Sequence, residues 1–220
     1  MTINKSYIWW GLGIVVMVGM LFSGRFLNPA PTPATSAEAE AILTVVPDDH
    51  IKGNPDGKVT LVEYLDFECE ACRAYYPVIK QLEAEFPNDL RVVTRYFPLP
   101  GHRNSMTAAI AVEAASKQGK YWEMHDKLFE TQETWGNKQV PNPQIFEQYA
   151  QEIGLDMAKF KADVADPTTK ARVQRDFDAS EKLGNSSTPS LFVQGKKVQP
   201  RGYEEFKALI QVEVDKTKSQ

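Results

Sequence analysis

The sequence predicts an α/β domain whose β-α-β and β-β-α halves flank a block of helices, and three observations predict it. Lys58 to Asp66 is β-branched and largely apolar behind the Pro55-Asp56-Gly57 turn, as in a strand buried on both faces. The strand signal then gives way to helical periods over about 104–183. It returns only at Ser190 to Gln194, close to the end of the chain.

Within the first half, Ala74, Tyr75, Val78, Ile79, Leu82 and Phe86 recur at three- and four-residue steps, forming one apolar helical face between Ala71 and Phe86. Pro77 inside it predicts a kink. Leu90 to Phe97 is the second strand, entered through Pro87-Asn88-Asp89 and ended by Pro98 and Pro100. A strand-helix-strand order implies a right-handed crossover with parallel pairing. The insertion divides into helices at about 105–118, 120–132, 143–153, 156–165 and 168–183, separated by Gly119, the loop from Gly136 to Pro143, Gly154 and Pro167. Trp122, Met124, Leu128 and Phe129 read as its core. The second half is Ser190–Gln194, a Gly195-Lys196 turn in which Lys196 and Lys197 are solvated, a short strand over Lys197–Gln199, and an amphipathic helix from Tyr203 to about Val214.

With 220 residues and 42% apolar composition the chain can bury one sizeable core. A net charge of -4, with no cluster of lysine and arginine, excludes the electrostatic footprint of a nucleic-acid binder. Two cysteines are too few for a disulfide scaffold or a four-cysteine metal site, and His50, His102 and His125 are scattered.

Tyr7 to Phe22 is an unbroken uncharged run between Lys5 and Arg25. With Ser23, Gly24 and a snorkelling Arg25 it reaches the roughly 17 residues that cross a bilayer. A cleaved signal is the rival reading, but small residues suited to cleavage follow closely nowhere; Ala37-Glu38-Ala39 lies far beyond the run. We therefore read residues 1–27 as a cytoplasmic tip and membrane anchor. The charges around it place the N-terminus in the cytoplasm and the rest in an oxidising compartment outside a cell membrane. Residues 28–41, rich in proline, alanine and small polar residues, read as a tether, and the folded domain over 42–220.

Cys69-Glu70-Ala71-Cys72 lies where a strand passes into a helix. The unpaired amides and positive dipole end of that helix stabilise a thiolate, making Cys69 the nucleophile and Cys72 its resolving partner. A structural disulfide and half of a metal site are the alternatives open to a lone C-x-x-C. Glu63, at the parity of Leu61 and Leu65, can be a buried acid of raised pKa that exchanges a proton with the resolving thiol, or an exposed strand end if Val62 and Tyr64 form the buried face. Thr188-Pro189 precedes the strand SLFVQ; a cis bond there would turn the Thr188 backbone toward an extended peptide. His102 and Arg103 read as a surface turn, with the rim of the site as the alternative.

The succession of strand, C-x-x-C, helix, strand, helical insertion, T-P, strand, strand and helix resembles a DsbA-like thioredoxin-fold thiol-disulfide oxidoreductase. The stretches DFECEAC, RYFPLPGHRNS, AAIAVEAASKQGKYWEMHDKLFE and STPSLFVQGK are similar to its membrane-anchored bacterial members. The resemblance covers the chain from about residue 55 onward. It implies a thioredoxin fold with the insertion between the second and third core strands, behind an N-terminal transmembrane helix. It implies that Cys69 is the attacking cysteine, Cys72 the buried one, Pro189 a cis proline facing the pair, Glu63 the acid behind them and Thr188 a substrate contact. It further implies no bound cofactor, exported proteins with cysteines as substrates, and a quinone-coupled membrane thiol oxidase as electron acceptor. Glu70-Ala71 departs from the proline and histidine of strongly oxidising relatives. A carboxylate beside Cys69 disfavours its anion, so Glu70 and Ala71 predict a less oxidising pair. A membrane-tethered reductase or isomerase of the same fold is the nearest alternative, and a copper or other metal chaperone using the cysteines is the alternative of another class.

Overall fold

The computed structural model describes residues 33–138 and 140–219. The expected anchor, and the tether up to residue 32, lie outside the described residues.

Five strands form one sheet in the order β1-β3-β2-β4-β5. β1 is His50–Gly53, β2 Val59–Leu65, β3 Leu90–Tyr96, β4 Ser190–Val193 and β5 Lys196–Val198. β2 and β3 run parallel through the register Glu63↔Thr94, and the other neighbours are antiparallel. All seven residues of β2 are buried, as the unbroken apolar run predicts for a strand covered on both faces.

The two faces have different covers. Leu61, Leu90, Val92, Leu191 and Val193 pack beneath α2 (Glu70–Glu85) and the C-terminal α9 (Tyr203–Lys218). Val62, Tyr64, Val93 and Phe192 face the other way, against Leu43 of α1 (Ser36–Leu43) and Phe177 of α8 (Pro167–Lys182). Side-chain alternation therefore sends Glu63, one residue from Val62, to the α2 face. The remaining helices are α3 (Ser105–Ser116), α4 (Tyr121–Glu130), α5 (Gln132–Trp135), α6 (Gln144–Glu152) and α7 (Met157–Ala165). Met124, Leu128, Phe129 and Trp135 build the insertion core, with Trp122 packed against it, and Phe67 and both cysteines join that cluster.

The architecture is the expected α/β thioredoxin-like one with a helical insertion, and four local expectations need correction. The tether does not extend to residue 41. α1 begins at Ser36 because Thr35 and Glu38 form a reciprocal capping box, a signal hidden by the surrounding prolines and alanines. β1 was absent from the expected strands: in four residues, HIKG, it has a single large apolar side chain, too little for an alternating pattern. α5 is a separate turn of helix after α4 rather than its continuation. The last hairpin turns at Gln194-Gly195, both at positive φ, one residue before the expected position. Gln194 accepts this backbone because its side chain is fully used: Oε1 accepts from Thr60 N at 2.9 Å and Nε2 donates to Lys58 O at 3.1 Å.

Arg95 of β3 secures the N-terminal elements. Its guanidinium donates to the carbonyls of Ile42 (2.5 Å) and Thr44 (2.9 Å) and to both oxygens of Asp49 (2.9 and 2.7 Å), whose side chain is fully buried. Removing one member of a buried ion pair leaves the other uncompensated. We expect Asp49→Ala to destabilise the domain by about 3–5 kcal/mol, measured as a shift in urea midpoint at unchanged slope.

Candidate active site

β2 delivers the chain to the site, and three buried polar side chains hold it there. Asp66 Oδ1 accepts from Glu68 N at 2.8 Å, closing the turn between strand and helix. Gln132 of α5 donates from Nε2 to Phe67 O (2.7 Å) and Cys69 O (2.9 Å), so the insertion grips the turn from its other side. Glu68 accepts from the backbone amides of Asn104 (2.6 Å) and Asn137 (2.9 Å). Cys69 is the N-cap of α2, with extended backbone, and Cys72 is the third residue of its first turn. Both are free thiols, Cys69 at 8% exposure and Cys72 at 0%.

The Thr188–Pro189 peptide bond is cis, as the resemblance implies. The Thr188 carbonyl lies 3.4 Å from Cys69 Sγ and accepts from the thiol. Thr188 Oγ1 is buried and has no hydrogen-bond partner among the described residues. Its hydroxyl is a donor for the sulfur once Cys69 is charged.

These neighbours split the two thiols. Cys69 is lowered to about 5, chiefly by a hydrogen bond from the Cys72 thiol, which together with Thr188 and the Cys72 and Ala71 amides outweighs the opposing effect of burial. Burial pushes Cys72 well above an ordinary thiol; its hydrogen bond to Cys69 and the charges of Cys69 and Glu63 act the same way. Glu63, 5% exposed, is raised to about 8 by burial and by the charges of Glu83 and Cys69. Of the two faces open to it from sequence, it takes the buried one behind the cysteines.

The Glu70 carboxylate is exposed and accepts from Asn137 Nδ2 at 2.9 Å, and it is not among the principal groups that set the Cys69 pKa. The hydrogen bonds on the sulfur act at contact, whereas a solvent-facing carboxylate is screened. Ala71 contributes its backbone amide rather than its side chain.

Sequence reasoning missed Asp66, Glu68 and Gln132, and left His102 two places, of which the structure gives it the rim of the site: Nδ1 lies 2.6 Å from Oδ2 of the buried Asp66. Burial disfavours its charge, but Asp66 and the charges of Cys69 and Glu68 outweigh this and raise its pKa. Arg103 is exposed. Gln132, Asp66 and Glu68 carry no motif of their own; two acids flanking an aromatic just before Cys69 were the available signal. Among the described residues no group of three or more His, Cys, Asp and Glu side chains is placed to hold a metal ion.

A nucleophilic sulfur at a helix N-cap, a dry partner sulfur one turn in, and a cis proline opposite make a dithiol able to open and close a disulfide. Residues 45–212 match the family Thioredoxin_4, described as thioredoxin. The chain belongs to the thioredoxin family. A thioredoxin-like oxidoreductase of Silicibacter pomeroyi DSS-3 is similar at 30% identity, over 85% of this chain and 99% of that one, with a TM-score of 0.66. Alpha-DsbA1 of Wolbachia pipientis shares the fold at 19% identity, over 83% and 100% of the two chains, with a TM-score of 0.72. This chain's fold is the thioredoxin fold with the helical insertion seen in that DsbA protein. Among curated relatives, the Na(+)/H(+) antiporter NhaA of Herminiimonas arsenicoxydans is 38% identical over 151 residues, which are 69% of this chain and 23% of that protein. The chain spans about a quarter of the length of the curated relatives it matches.

Two measurements follow. Iodoacetamide should label Cys69 of the reduced protein at a rate that rises with pH through an inflection near 5, leaving native Cys72 unlabelled, and Thr188→Val should move that inflection upward. The Cys69 pKa lies below that of an unfolded thiol, about 8.5. Its ionisation therefore stabilises the reduced fold fully above that value, and the contribution disappears as pH falls through about 5. The stability of reduced wild type relative to Cys69→Ser should accordingly grow between pH 5 and 8 in urea titrations.

Proposed function

We propose that this protein donates the Cys69–Cys72 disulfide to cysteines of exported proteins from a membrane-tethered position outside the cytoplasm. The observation that carries this reading is the opposed shift of the two thiols: Cys69 ionised at neutral pH, Cys72 buried and protonated. A substrate thiolate attacks Cys69 Sγ, the Cys69–Cys72 bond breaks, and Cys72 leaves with the electron pair and takes up a proton. A second substrate thiolate then attacks the mixed disulfide and expels Cys69, an easily displaced low-pKa thiolate. The substrate dithiol loses two electrons and the enzyme disulfide gains them. Glu63 supplies the proton to Cys72, and Thr188 with cis Pro189 lines the place where an extended peptide would lie.

Stabilising the Cys69 thiolate favours the reduced enzyme and makes its disulfide the more oxidising. That supports donation over reduction, and the outward turn of Glu70 removes the main reason to expect the reverse. The apolar run over 7–22 supports an anchor, and a membrane-embedded quinone-coupled oxidase is the acceptor we assign for reoxidation. That antiporters contain a segment similar to this domain supports work beside a membrane. A metal chaperone that adds a histidine to the cysteine pair finds no such three-ligand group among the described residues.

Equilibration of the full-length protein with glutathione buffers tests the direction. We expect a potential above that of the glutathione pool; one near thioredoxin's, about -270 mV, would replace donation by reduction. Cys72→Ser should accumulate mixed disulfides on Cys69 when its oxidised glutathione adduct is mixed with a reduced unfolded protein, detectable by non-reducing electrophoresis.

A further inference from the structure

The loop after β3 meets the turn before Cys69, and one carboxylate ties the two together. Asp66, whose side chain is 0% exposed, accepts through Oδ2 from Leu99 N at 2.9 Å and lies 2.6 Å from His102 Nδ1. Its Oδ1 accepts from Glu68 N at 2.8 Å, and its carbonyl accepts from Cys69 N at 3.1 Å. One residue therefore holds both the backbone of the nucleophile and the ring of His102. With Nδ1 turned to the carboxylate, Nε2 is the ring atom left over, and it has no hydrogen-bond partner among the described residues. The side chain is 26% exposed, which leaves it open to a molecule arriving at the site. His102 also walls a cleft of about 280 Å³ with Pro98, Leu99, Pro100, Met106 and Phe177. Gln174 completes the lining, so His102 is the one ionisable group of an otherwise uncharged cleft, and such low-dielectric walls focus the field of a charge.

We propose that His102 receives the attacking substrate thiolate: its imidazolium, held by Asp66, meets that anion at the mouth of this cleft and guides it onto Cys69 Sγ. The inference rests on the disulfide donation proposed above and adds the group that the incoming nucleophile meets. Each attack brings an anion toward a turn whose own charges are the carboxylates of Asp66 and Glu68. A neutral His102 leaves that repulsion in place, whereas a charged one cancels a full unit of it at contact. The thiolate bonds to Cys69 Sγ, the Cys69–Cys72 bond breaks, and Cys72 leaves with the electron pair. His102 keeps its proton throughout.

The surroundings favour the charged ring. Burial opposes the charge, but Asp66, Cys69 and Glu68 outweigh it and raise the His102 pKa. Asp66 and Glu68 act in the oxidised enzyme too, and Cys69 adds its share once its thiolate is released. The other charges of the rim are engaged elsewhere or face water: Glu70 is tied to Asn137, Arg73 pairs with Glu133, and Arg103 is exposed. From α3 and α8 come Met106, Gln174 and Phe177, none of which titrates.

The test mixes oxidised full-length protein with a reduced peptide carrying two cysteines. Loss of the Cys69–Cys72 disulfide is read by mass after acid quenching and alkylation. Rates are expressed per peptide thiolate, so that ionisation of the peptide itself drops out. We expect the wild-type constant to be highest near pH 6 and to fall as pH rises through the His102 pKa. His102→Gln should be about fivefold slower near pH 6 and flat with pH. His102→Lys, charged throughout, should hold the low-pH rate up to about pH 8. The uncharged nucleophile tris(hydroxymethyl)phosphine attacks Cys69, the more exposed of the two sulfurs, without bringing an anion. Toward it His102→Gln should react no more slowly than wild type. A wild-type constant and pH profile in His102→Gln overturn the proposal, as does equal slowing toward peptide and phosphine. If the wild type loses its disulfide to the phosphine but to the peptide at no pH, disulfide donation itself is overturned.

Discussion

Everything at this site depends on holding one negative charge on a sulfur that is almost out of water. Removing an anion from solvent is costly unless donors replace the water, and here the donors are arranged before the charge forms. The Cys72 thiol, the Thr188 hydroxyl and the amides of Ala71 and Cys72 all converge on Cys69. The same burial that makes those donors effective denies a charge to Cys72. One dry pocket therefore produces both members of the asymmetric pair, a ready nucleophile and a thiol that ionises only when its proton has somewhere to go.

The fold serves that arrangement by making the junction between β2 and α2 rigid. Gln132, Glu68 and Asp66 are buried polar groups, each costly to leave unpaired, and each spends its hydrogen bonds on the backbone of the turn or the loops that cover it. The helical insertion thus has two effects: its Phe129 and Trp135 pack with Phe67 and the cysteines in one dry cluster, and it grips the carbonyls of Phe67 and Cys69 through a single glutamine. Arg95 acts similarly on the other face of the sheet, fastening the chain around Asp49 and so the short β1 that carries Lys52.

Short-range information made much of this readable. The Lys58–Asp66 run, the helical face of α2 and the strand before Pro98 each lie within one window, and periodicity identifies them. The cysteine pair was visible because its meaning comes from its spacing and from the strand-helix junction around it. The side of the sheet taken by Glu63 was half readable: parity grouped it with Leu61 and Leu65, but both faces of β2 are buried, so parity alone could not exclude Val62 and Tyr64 as the core. The partner of Glu70 was not readable at all: Asn137, 67 positions away, donates to its carboxylate.

From its order of residues alone, the chain determined the α/β plan, the helical insertion and the cysteine chemistry, since each is a local pattern repeated by every copy of those few residues. Tertiary structure decided what surrounds the sulfurs. Gln132 reaches Cys69 across 63 positions, Thr188 across 119, and Glu83 meets Lys52 only because β1 pairs with β3 beside α2. Such contacts have no period and no motif. They exist because packing brings distant segments together, and the pKa of a buried group is set by whatever packing puts next to it.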